Sequence, residues 1–145
     1  MLGTAEFIEL DNVNTNLTPG SPLAINTQVF NNMPTNIVAS TWGNGTAFTL
    51  TAGTYIFDYE TSFTGTRTGA ASIALYTGPN TSSLTIDNNT LACASTSVSW
   101  IHGRAVVDVA DTLVVAICSL YNTVSVAYVL GTTCYVVRLT VIKVA

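Results

Sequence analysis

From Thr46 to the end, apolar and polar residues alternate in short runs with a period of two, and turn residues separate the runs. No amphipathic helix of useful length is present, so the chain is expected to be all-β, a sandwich or barrel. The stretch TAFTLTAGTYIFDYETSF predicts a strand at Phe48 to Leu50, a turn at Ala52-Gly53 and a strong strand from Thr54 to Phe63. Tyr55, Phe57, Tyr59 and Phe63 share one face of that strand; Ile56, Asp58, Glu60 and Ser62 share the other. ASIALYTGPNTSS predicts another strand, ended by Gly78-Pro79. HGRAVVDVADTLVVAIC predicts a hairpin turning at Ala110-Asp111, whose first arm buries Ala105, Val107 and Val109. CYVVRLTVIKVA predicts a last strand with Tyr135, Val137, Leu139 and Val141 on one face. Its opposite face carries Cys134, Val136, Arg138, Thr140 and Ile142. The N-terminal third is looser, with brief strands expected near Phe7 to Leu10 and Ile25 to Phe30. Nothing marks a second domain, so residues 1–145 form one, with 1–40 as its looser strands and 41–145 as the main sandwich.

The run DTLVVAICSLYN departs from simple alternation. Leu113, Val115 and Ile117 fall on one face, and Val114, Ala116 and Cys118, also apolar, on the other. A half-buried strand should have one wet face. With no helices to cover the second face, another subunit is the simplest cover.

Composition narrows the picture. Charged residues are only 8% of the chain and apolar residues 48%, with Thr, Ser and Asn supplying most of the polarity. Such a surface depends little on ionisation and tolerates variable salt and pH. The net charge of -4 argues against nucleic acid, which needs a basic patch. Arg67, Arg104, Arg138 and Lys143 are scattered, which also disfavours an anionic membrane surface. The longest apolar candidate for a span, Leu113 to Leu130, is interrupted by polar residues, so no membrane insertion is expected. The first residues carry Glu6 and Glu9 and no basic stretch, so no secretory signal is expected and synthesis in the cytosol is. The sequons at Asn16, Asn44, Asn80 and Asn88 matter only if the chain enters a secretory pathway. Cys93, Cys118 and Cys134 fit no zinc spacing and read as small buried hydrophobes in the reduced state.

Phe48, Gly53, Tyr55 and Phe57, the ASIALYTG strand, the AVVDVADTLVVAI pair and the closing VIKVA together resemble the globular head shared by tumour necrosis factor and the complement collagen-like proteins. The resemblance covers roughly residues 40 to 145, with Ala110-Asp111 where Gly-Asp is usual. It implies a two-sheet antiparallel jelly-roll sandwich of ten strands, assembled as a homotrimer. It also implies that the strand Thr112 to Leu120 lies in the inner sheet. Val114, Ala116 and Cys118 would then face the neighbouring subunit. The trimer interface so expected comprises Ile56, Asp58, Glu60, Val114, Ala116, Cys118, Val136, Arg138 and Ile142. The expected core comprises Tyr55, Phe57, Leu113, Val115, Ile117 and Leu139. Asp58 and Glu60 stand where the family often has apolar residues, which implies a wetter interface.

Candidate chemistry is sparse. His102 could act as a general base oriented by Asp108 or Asp111, with Ser97 or Ser99 as nucleophile. No nucleophile elbow supports this, and a structural His102 is expected. Asp58 with Glu60, or Asp108 with Asp111, could hold calcium only if three copies met on an axis; no metal or other cofactor is expected. Trp42 and Trp100 could stack on sugars, but Trp42 is expected to anchor its Gly-rich loop and Trp100 to be a half-buried strand residue.

The function expected is a non-enzymatic structural protein on the surface of a particle. A virion is favoured over a spore coat because no Gly-X-Y repeat is present. Its partners would be itself and other particle-surface or capsid proteins. The alternative is a recognition head for a host receptor or glycan.

Overall fold

The computed structural model describes residues 2–9, 15–64, 71–94, 100–120, 124–126 and 137–145. Eleven strands occur among them: β1 (Gly3–Glu9), β2 (Thr15–Leu17), β3 (Thr27–Asn31), β4 (Ile37–Trp42), β5 (Gly45–Thr64) and β6 (Ala71–Gly78), then β7 (Thr85–Ile86), β8 (Ala92–Ala94), β9 (Trp100–Leu120), β10 (Val124–Val126) and β11 (Val137–Lys143). All pairings are antiparallel.

The architecture follows from two long strands. Residues 45–51 of β5 lie between β4 and residues 112–116 of β9. Residues 55–61 of β5 lie between β11 and residues 101–107 of β9. The β5–β9 ribbon therefore belongs to two layers. The first is β3-β1-β11-β5-β9, and the second is β4-β5-β9-β6, with β7 and β8 on successive parts of the β6 edge. Each layer has five strand positions, which gives the ten of the jelly roll.

The corner between the layers is where the sequence reading needs correction. Ala52-Gly53 and Ala110-Asp111 are not chain reversals, and β5 and β9 run through them unbroken. Thr51 pairs with Thr112 and Gly53 with Val109, so Ala110 and Asp111 together oppose the single Ala52. This is a β-bulge, which bends and twists a ribbon without ending it. Gly53 sits at φ +147, and a Cβ there would lie 2.5 Å from the Ala145 carbonyl oxygen. Only glycine fits both the conformation and the close approach. The small and turn-prone residues on both strands mark one shared bend.

The layers close over a single core. Ala5 and Phe7 of β1, Tyr55, Phe57 and Tyr59 of β5, and Val137, Leu139 and Val141 of β11 point into it from the first layer. Phe48, Leu50, Ile73, Leu75, Val115 and Ile117 meet them from the second, with Leu113 partly buried beside them. The Phe7 and Phe48 rings, 4.9 Å apart between centroids, join the two layers directly. The N-terminal strand is wider than expected and sits inside the first layer, between β3 and β11. The buried Tyr59 hydroxyl donates to the Thr90 carbonyl, and burial pushes its pKa up to about 12.

Candidate functional site

The centre of the outer face of the second layer is covered by the chain itself, while Val38 at its β4 edge is 53% exposed. Ala116 of β9 pairs with Ala47 of β5 on one side and with Tyr76 of β6 on the other. Trp42, Tyr76 and Leu84 pack across the shallow surface formed by Ala47, Val114, Ala116 and Cys118. Ala116 and Cys118 are 0% exposed in a single chain. Small side chains on the central strands leave room for large ones from the neighbours to lie over them. One chain thus leaves almost none of the surface of Val114, Ala116 and Cys118, expected at the trimer interface, for a neighbour to share. Burial also pushes the Cys118 thiol up to about 12, so it stays protonated at neutral pH. Cys93, expected to be buried, is exposed on β8 and free; Cys118 is also free. Cys134 lies outside the described residues.

The outer face of the first layer is open. Register sets three rows of side chains across β1, β11, β5 and β9. One row is Ile8, Arg138, Glu60 and His102; the next is Glu6, Thr140, Asp58 and Arg104; the third is Thr4, Ile142, Ile56 and Val106. Ile56, Asp58, Glu60, Arg138 and Ile142 thus share one outward surface, while Val136 lies outside the described residues. Arg138 Nε donates to Glu6 Oε1 at 2.9 Å, and its Nη1 lies 3.9 Å from Glu60 Oε1. His102 Nε2 lies 2.6 Å from Asp58 Oδ1. A shallow depression of about 300 Å³ runs between Asp58, Glu60, Arg138, Thr140 and Ile142. The third row is apolar from Ile142 through Ile56 to Val106, which is 64% exposed.

The same register removes the catalytic arrangement. His102 pairs with Asp58 and not with Asp108. Asp108 lies on the same face but six residues further along an extended strand, roughly 20 Å away. Its Oδ1 accepts from Thr54 Oγ1 at 2.7 Å. Asp111 sits in the bulge, and Ser97 and Ser99 lie outside the described residues. Within one chain Asp58 faces His102 and Glu60 faces Arg138. Among the described residues no three metal-ligating side chains come together. No helix among them is long and apolar enough to cross a membrane.

Trp100, 41% exposed, opens β9 at the edge of the first layer. Trp42 ends β4, half-buried, beside the two-residue Gly43-Asn44 turn into β5.

Solved structures share this architecture. The Eiger TNF of S. frugiperda superposes with a TM-score of 0.70 at 9% identity, over 99% of this chain and 93% of that one. The fold is a TNF/C1q-like jelly roll. The globular domain of the zebrafish complement 1qA protein matches this jelly roll with a TM-score of 0.61 and 15% identity, covering 99% and 98% of the two chains. Murine APRIL at pH 5.0 matches with 0.65 and 8%, covering 99% and 100%. No protein-family model matches the chain, and no curated protein matches it in sequence. The resemblance read from Phe48, Gly53, Tyr55 and Phe57 is thus a likeness of fold across nearly the whole chain, including the first 40 residues.

Proposed function

We propose that the chain is a non-enzymatic structural head that assembles as a homotrimer through the outer face of its first layer and builds or decorates the surface of a particle, a virion in the first instance. The observation that carries the assembly is the contrast between the two outer faces. One is covered at its centre by Trp42, Tyr76 and Leu84. The other leaves the row Ile142, Ile56 and Val106 at the surface beside half-buried ion pairs. Covering that row with another copy removes apolar area from water, at about 25 cal/mol per Å². A trimer is also what the resemblance to the tumour necrosis factor head implies. Asp58, Glu60 and Arg138 make the contact polar at its centre, and paired charges at such a face favour register and orientation. The particle-surface role draws support from the low charge content, which leaves little of the surface dependent on salt or pH.

Native mass spectrometry at micromolar concentration tests the assembly. Three chains are expected; a stable monomer or a clean dimer would refute it. The particle role is tested by the protein's copy number in purified particles, which should be a multiple of three.

A further inference from the structure

A second concavity lies on the other layer, away from the open face. It is a cleft of about 430 Å³ between the segment 17–22 and the β4–β5 turn, with Pro19, Ser21, Pro22, Trp42, Gly43 and Asn44 around it. We infer that this cleft is a binding site for a neutral saccharide, with one pyranose ring stacked on Trp42.

The walls are preformed. Gly20 N donates to Ser119 O, Ser119 N to Ser21 O and Leu23 N to Ile117 O, so residues 20–23 are laced to β9 as an added strand. Thr46 N donates to Leu23 O and ties that segment to the start of β5. The opposite wall is the two-residue turn, where Gly43 takes φ +56. Trp42 is packed on one side against the Ala47, Ala116 and Cys118 surface and gives its remaining surface to the cleft. A platform held this way loses little freedom when a ligand arrives.

The lining chemistry selects the ligand class. Among the described residues no Asp, Glu, Lys, Arg or His lines the cleft, so a charged ligand would lose water without gaining a counter-charge from them. A purely apolar ligand would leave the Asn44 amide without water, while the Ser21 hydroxyl already shares a hydrogen bond with Thr18 Oγ1 at 3.0 Å. Trp42 and Asn44 both line the cleft, and the indole N–H and the side-chain amide are groups that can bond a ligand hydroxyl. A pyranose suits both requirements, with an apolar C–H face for the indole and uncharged hydroxyls for the amide, the Ser21 hydroxyl and the indole N–H. A proline-rich peptide would need several aromatic ridges, and the described residues of the cleft supply one, Trp42. The volume falls within the roughly 300–1,000 Å³ of small-molecule sites. The cleft lies within one chain, so the inference does not depend on the trimer.

The test uses the full chain carrying Trp100→Phe, which leaves Trp42 as the sole tryptophan. Neutral methyl pyranosides and short neutral oligosaccharides are titrated against Trp42 emission, alongside sialic acid, glucuronate and a proline-rich peptide. At least one neutral pyranoside should shift or quench the emission and saturate, with a dissociation constant of about 1 mM for a single ring. Asn44→Ala should weaken that binding about fivefold or more, and Trp42→Phe about tenfold, each with an unchanged circular dichroism spectrum. Asn44 is exposed, so its variant remains informative even if Trp42→Phe loosens the cluster beneath it. No response to any neutral pyranoside up to about 100 mM would overturn the inference. So would preference for the charged sugars or the peptide, or binding indifferent to both substitutions. If the chain proves monomeric yet binds, only the trimer proposal fails.

Discussion

Ala116→Arg separates a strand covered by its own chain from one covered by a neighbour. Ala116 is 0% exposed, with Tyr76 and Ala47 on its flanking rungs and Trp42, Tyr76 and Leu84 in the layer above. An arginine there has two outcomes. If the cover stays, the side chain overpacks the cluster at about 1–3 kcal/mol, and a guanidinium without a counter-ion adds several more. If the cover lifts, Trp42 and Tyr76 return to water and the apolar contact they made is lost, about 2–3 kcal/mol. Either way folding stability falls by roughly 2 kcal/mol or more. At this chain length that corresponds to about 6 °C or more in the melting temperature. The matched control is Ile56→Arg on the open face. Ile56 lies between Ile142 and Val106 with Asp58 two residues along the same face. The longer side chain can run along the surface to water, so the isolated chain should change by no more than about 1 kcal/mol, while the assembly dissociates. The assay is thermal circular dichroism on each variant, with light scattering for mass and both proteins compared at several concentrations, since assembly raises apparent stability. An Ala116→Arg protein that merely loses its partners and melts as an unassembled chain normally would refute the reasoning, and the cover would then be another copy.

Stability should fall on the alkaline side from about pH 9 to 12. Tyr59 and Cys118 are both raised to about 12 in the folded chain, so the unfolded chain loses these protons first; the stabilisation is complete below pH 9 and lost as pH rises through that window, and Cys118→Ala should flatten its lower part. Denaturant melts at pH 8, 10 and 11 check this, and a flat profile counts against the burial of both groups. Thiol titration should find Cys93 reactive in the native protein and Cys118 silent, with three thiols counted after denaturation. A native count in which Cys118 reacts as fast as Cys93 would mean that its cover is open. Gly53→Ala should cost about 2 kcal/mol, because a Cβ meets the Ala145 carbonyl in a backbone conformation that L residues rarely adopt; an unchanged midpoint in urea would mean the corner relaxes freely.

What the sequence conveyed depended on how local the signal was. Alternation over residues 55–60 and 137–142 assigned inward and outward faces correctly, because strand geometry alone determines them, whereas Ser62, read as outward, is buried. Ile56, Asp58, Glu60, Arg138 and Ile142 fall on one surface for that reason. Continuity of β5 and β9 was not legible. A glycine next to the rung of a two-residue bulge has the same local composition as a turn, and only the Thr51–Thr112 and Gly53–Val109 rungs distinguish them. The cover over Ala116 was equally hidden, since Tyr76 and Trp42 are distant in the chain and reach it through cross-strand pairing. His102 meets Asp58 for the same reason, and the register of β5 on β9 is not written in either strand alone. The Trp42 cleft had partial signals: a tryptophan beside Gly-Asn-Gly, and a Pro-Gly-Ser-Pro segment. Their meeting depends on the Leu23–Thr46 hydrogen bond.

The order of strands in the first layer also bears on when that layer can exist. Its open face is built around β1 and β11, whose ladder runs from Gly3–Lys143 to Glu9–Val137. The strands of the second layer lie between Ile37 and Leu120. The second layer and the bent ribbon can pair before β1 meets β11. Until that ladder forms, β1 lacks its β11 neighbour and the row through Ile142 and Ile56 is incomplete. Closures between segments so distant in sequence are slow. The face proposed for assembly is therefore the last part of the sandwich to be completed, so a partly folded chain has no finished surface to offer another copy.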